Sequence, residues 1–80
     1  MAIRRLKLTF PTDLIKEPVI YLLGQKFEVI TNIRMADVDE KTGWVVLELE
    51  GEATEIERGV AWAESEGVRV DPITGDVVEG

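Results

Sequence analysis

Asn32 is the only asparagine in the chain, and it stands inside a β-branched run, Val29-Ile30-Thr31-Asn32-Ile33, where asparagine is depleted. A primary amide both donates and accepts, so a placed Asn32 suits the backbone of an amino acid. The plainer account is an edge or bulge position at which the amide satisfies neighbouring backbone. The residues alone leave both accounts open. Arg34 and Trp44 join Asn32 as ligand-binding candidates, one for an anionic or zwitterionic group and the other for an apolar surface.

Other chemistry is largely excluded. The chain has neither cysteine nor histidine. Disulfides, thiolate metal sites, iron–sulfur clusters, cysteine nucleophiles, the commonest zinc ligand and the commonest general base are absent with them. Ser65, the only serine, has no base beside it. Gly51-Glu52-Ala53-Thr54 lacks the lysine and glycine spacing of a phosphate loop. Asp37, Asp39 and Glu40 could touch a cation but lack the spacing of a calcium loop and its closing glutamate. The remaining carboxylates are scattered over helix faces, and Glu48 and Glu50 read as strand surface groups. These patterns predict no catalysis, no metal and no cofactor. With nine basic and sixteen acidic residues the net charge is −7, the wrong sign for a nucleic-acid backbone. No apolar stretch approaches a signal peptide or a membrane span, so a cytoplasmic protein without membrane insertion is expected.

The elements that position the candidates follow from periodicity. Leu6, Leu8 and Phe10 alternate with Arg5, Lys7 and Thr9 in a strand over 3–10 that Pro11 ends. Pro18 suits a first helical turn, and Val19, Leu22, Leu23 and Phe27 continue at helical spacing, predicting a helix over 17–26. Residues 28–38 and 44–50 are strands joined by the turn residues Asp39 to Gly43. A second helix over 54–66 carries Ile56, Val60 and Ala63 on one face, with Gly59 allowing close approach to the sheet and Gly67 as the stop. Val68 to Asp71 is a last strand, and the tail from Pro72 to Gly80 is either loose or a short extra strand. The order βαββαβ predicts a single α+β domain over 1–80 with a ferredoxin-like fold, a four-stranded antiparallel sheet of order 4-1-3-2 and both helices on one face. The expected core is Leu6, Leu8, Phe10, Val19, Leu22, Leu23, Phe27, Ile33, Val45, Leu47, Leu49, Ile56, Val60 and Ala63.

One-sided helix packing leaves the other sheet face open, and period two assigns residues to it. Ile33 and Met35 are expected toward the helices, and Arg5, Lys7, Thr9, Asn32, Arg34, Trp44, Val46, Glu48, Arg69 and Asp71 away from them. Four of the nine basic residues then share one face of an acidic protein. That face is either a solvated surface of mixed charge or a site for an anionic or zwitterionic ligand or a partner. Trp44, the lone aromatic expected there, is too little for base stacking, which argues further against RNA.

At Asn32-Ile33-Arg34 the sequence resembles the NIL domain, a family named for an Asn-Ile-Leu motif in its second strand. Here the third position is Arg34. The resemblance also rests on Arg5-Leu6-Lys7-Leu8-Thr9-Phe10, Glu17-Pro18-Val19-Ile20, Val46-Leu47-Glu48-Leu49-Glu50-Gly51, Ala61-Trp62 and Gly67-Val68, and covers about residues 4–71. It adds Ile33 to the candidate ligand-binding residues. It implies either a regulatory domain of methionine-import ABC transporter ATPases, which dimerises and binds methionine, or a domain fused to a ferredoxin-type iron–sulfur module. Phe10-Pro11 and the tail are more similar to the second context. The expected function is thus a non-catalytic module that binds methionine or another amino acid at a homodimer interface. The alternative is a ligand-free docking domain beside a transporter or ferredoxin-type protein. The second strand would be a sheet edge open to a partner, with Asn32, Arg34 and Trp44 at or near a two-fold contact.

Overall fold

The computed structural model describes residues 1–11, 18–38 and 43–73. Its elements run β1 (Ala2–Phe10), α1 (Val19–Lys26), β2 (Val29–Val38), β3 (Gly43–Gly51), α2 (Ala53–Ser65) and β4 (Arg69–Pro72). The four strands form one antiparallel sheet in the order β2-β3-β1-β4, the order expected from the sequence. The molecule is a slab of 35 × 31 × 16 Å, the depth of one sheet and one helix layer.

Alternation drives the packing. Leu6 and Leu8 of β1 stand opposite Leu47 and Val45 of β3. All four are buried, together with Leu49 and Phe10, against Val19 and Leu23 of α1 and Ile56 and Ala63 of α2. Phe27 and Val60 pack on this core part-buried. Leu22 is half-buried, and Val29 and Val68 complete the core instead.

α1 begins at Val19, with Pro18 as its cap residue and the Leu22 N–H donating to the Pro18 carbonyl at 2.9 Å. The expected earlier start at Glu17 lies outside the described residues, as do the hairpin turn 39–42 and the tail 74–80. α2 ends on Gly67 at φ 102°. There the Val68 N–H reaches the Ala63 carbonyl at 3.1 Å and the Gly67 N–H reaches Glu64 at 3.0 Å, which is the Schellman arrangement. Gly59 serves a purpose other than the one expected. A Cβ there would meet Leu23 Cδ2 at 2.9 Å and the Phe27 ring at 3.6 Å, so its bareness seats α2 against α1 rather than against the sheet. Glu55 ties the layers further by accepting the Glu28 backbone N–H at 3.0 Å, an interaction that lowers its pKa.

Ile33 does not join the core: it is 54% exposed. It stands opposite Leu47 and therefore points to the helix side, but β2 is the edge strand, and no described residue buries the side chain there. Met35, 59% exposed, is on the other face altogether. A β-bulge between Ile33 and Met35 sets Ile33 opposite Leu47 and Met35 opposite Val46, leaving Arg34 as the extra residue. The bulge reverses the alternation beyond it.

Leu47 is fully buried at the sheet centre. Leu47→Ala should cost roughly 2–5 kcal/mol in chemical denaturation; a smaller loss would mean that the site collapses around the void. A Cβ on Gly51 would lie 2.7 Å from the Glu28 carbonyl oxygen. Because backbone cannot step aside, Gly51→Ala should destabilise by about 1–3 kcal/mol in the same assay.

Candidate functional site

The open face of the sheet is built in cross-strand rows, since directly opposed residues share a face. Ile3, Glu50 and Ile30 form the first row, and Arg5, Glu48 and Asn32 the second. The third runs Asp71, Lys7, Val46, Met35, and the fourth Arg69, Thr9, Trp44, Asp37. Among the described residues, Arg5, Lys7, Arg34 and Arg69 on this face are matched by Asp37, Glu48, Glu50 and Asp71. A chain of net charge −7 therefore carries its acidic excess elsewhere.

The second row holds the strongest polar cluster. The Arg5 guanidinium donates to Glu48 Oε2 at 2.8 Å. That hydrogen bond is the main cause holding the Glu48 carboxyl below the ordinary glutamate range. Partial burial works against it, while the charges of Arg34 and Arg5 and a hydrogen bond from Asn32 add to the lowering. Asn32 thus sits opposite Glu48, where its amide favours the ionised carboxylate. Neither account available from the sequence named this partner, because the opposed residue depends on a register that the sequence does not display.

An apolar band flanks the cluster. Ile3, Ile30 and Met35 are exposed, whereas Val46 between Lys7 and Met35 is only 8% exposed. The Lys7 ammonium lies 5.1 Å from the centroid of the Trp44 ring, and Arg69 Nε bonds Asp71 Oδ2 at 3.1 Å.

Of the sequence candidates, Asn32 and Arg34 meet at Glu48. Trp44 shares their face, four residues further along β3, about 13 Å away at strand rise. Ile33 points to the opposite side of the sheet. Ile3, Ile30 and Met35 were missed, the last because nothing in the residue types announces a bulge. Among the described residues no three of Asp, Glu, His or Cys gather as a metal site. No helix in that part of the chain is long and apolar enough to cross a membrane.

A family model described as the NIL domain matches residues 4–72. The chain belongs to the NIL domain family. Among solved structures, the NIL domain described here is similar to the C-terminal domain of an ABC transporter ATP-binding protein from Enterococcus faecalis. The two share 20% identity at a TM-score of 0.76, over 88% of this chain and 82% of that one. At that identity the likeness establishes the fold. No curated protein matches.

The Glu48 cluster has a pH signature. A carboxyl whose folded pKa is depressed contributes stability that is full above its unfolded pKa and is lost as pH falls through the folded value. Acidification from the ordinary glutamate range downward should therefore lower the melting temperature, and Glu48→Gln should flatten part of that decline. An unchanged acid limb in Glu48→Gln would mean that the cluster does not contribute to stability.

Proposed function

We propose that this NIL domain is a non-catalytic regulatory module that binds a small amino acid, with methionine the first to test, and works as a homodimer. The observation that carries the reading is the Arg5–Glu48–Asn32 row with Arg34 at its end and an apolar band alongside. A zwitterion needs an acceptor for its ammonium, donors for its carboxylate and an apolar bed for its side chain. Glu48 supplies the first, Arg34 and the Asn32 amide the second, and the exposed Met35 and Ile30 the third. Trp44 extends the bed. Family membership supports a regulatory part, and the likeness to a transporter ATPase domain suggests a transporter as the partner, which would place the domain in the cytoplasm.

A second reading is a ligand-free docking domain beside a transporter or a ferredoxin-type electron-transfer protein. The exposure of Ile3, Ile30 and Met35 together on one face favours it.

Thermal melts with L-methionine and a panel of other amino acids separate the two. A ligand that binds only the folded chain stabilises it by about 2.7 kcal/mol at a hundredfold excess over Kd. Asn32→Ala should abolish that shift while moving the unliganded stability by about 1 kcal/mol or less, as for a surface change. No shift with any amino acid would overturn the ligand reading and leave the docking one.

A further inference from the structure

The described part of the open face carries Arg5, Lys7, Arg34 and Arg69, and internal ion pairs neutralise only half of them. Arg5 is paired with Glu48 at 2.8 Å and Arg69 with Asp71 at 3.1 Å. Among the described residues neither Lys7 nor Arg34 comes within ion-pair distance of a carboxylate. Asp71 faces Lys7 from β4, but it is the carboxylate that Arg69 holds. Asp37 and Glu50 stand further off, in the fourth and first rows.

The two unneutralised cations bracket one stretch of β3. Lys7 stands opposite Val46 from β1, and Met35 stands opposite it from β2, with Arg34 as the extra residue just before Met35. Glu48 is one step away on the same face of β3 and lies diagonal to Lys7, about 7–8 Å apart at the backbone. That spacing would allow the two side chains to pair, and they do not. The Lys7 ammonium is drawn over the Trp44 ring, one row beyond Val46. It therefore stands off from Glu48 and leaves a gap between them. A carboxylate, a guanidinium and an ammonium thus mark the corners of a triangle, each on its own strand.

We infer that the amino acid held on this face has an anionic side chain, and that Lys7 is the residue that selects it. The inference rests on the ligand reading above and names its substrate class, aspartate or glutamate. With the ligand's ammonium on Glu48 and its α-carboxylate on Arg34, the side chain starts above β3. An apolar side chain would turn to Met35 and Ile30 on β2. A carboxylate side chain turns the other way, across Val46 to the Lys7 ammonium. Each of its three charged groups then meets an opposite charge. The local balance favours that direction. Arg5, Lys7 and Arg34 outnumber Glu48 here, because Asp71 is engaged by Arg69. A ligand of zero net charge leaves the excess as it is, whereas an acidic amino acid reduces it. One added contact between opposite charges near a protein surface is enough for about tenfold in affinity.

Isothermal titration of the chain with L-glutamate, L-aspartate and L-methionine tests this assignment. One of the acidic amino acids should bind with a Kd about tenfold or more below that of L-methionine. Raising the ionic strength should narrow the gap, because salt screens a contact on an open face. Lys7→Gln should bring the ratio of the two Kd values to within about twofold of unity, and Lys7→Arg should keep the wild-type preference. Circular dichroism melts of both variants should stay close to wild type, as for a surface change. L-Methionine binding as tightly as either acidic amino acid, or an acidic preference that survives Lys7→Gln, would overturn the assignment and leave amino-acid binding standing. Neither heat nor thermal shift with any amino acid would overturn both.

Discussion

Two short helices can cover only one side of a four-stranded sheet, and the rest of the molecule answers to that constraint. Both crossovers pack on the same face, where Leu6, Leu8, Leu47 and Leu49 close over Val19, Leu23, Ile56 and Ala63. The helix layer must itself be tight to seal so small a core. Gly59 gives up a side chain so that Leu23 and Phe27 can seat against α2. Gly51 gives one up where the Glu28 carbonyl crosses β3. These concessions cost conformational freedom and are repaid in apolar area removed from water.

The uncovered face is neither apolar throughout nor simply polar. Charged side chains stand among aliphatic ones: Arg5 pairs with Glu48 and Arg69 with Asp71, and Lys7 lies over the Trp44 ring. Exposed pairs of this kind add little to stability on their own. Their effect is to leave the face near neutral although the whole chain is acidic.

Most of the architecture was legible in the sequence because alternation is a strong signal when one face is buried. The strands, their order and the end of α2 at Gly67 all follow from local patterns. The sequence misled where tertiary geometry decides. Ile33 obeys the alternation and points to the helix side, yet on the edge strand it is left 54% exposed. Met35 breaks the alternation because one extra residue, Arg34, enters the strand, and no residue type forces a bulge there. Asn32 was conspicuous by its rarity, but its partner Glu48 lies on another strand and appears only once the register is known.

The bulge links these points to the proposed site. Without it, Arg34 would keep the open face beside Asn32, but Met35 would turn to the helix side of the strand. With it, Asn32, the Arg34 charge acting on Glu48 and Met35 are all brought to the same side of the sheet. A bulge weakens the ladder and spoils an edge for further pairing, so it is a cost to the fold taken alone. Here that cost gathers an amide, a guanidinium and a thioether beside one carboxylate. A regular strand of the same residues would have divided them between two faces.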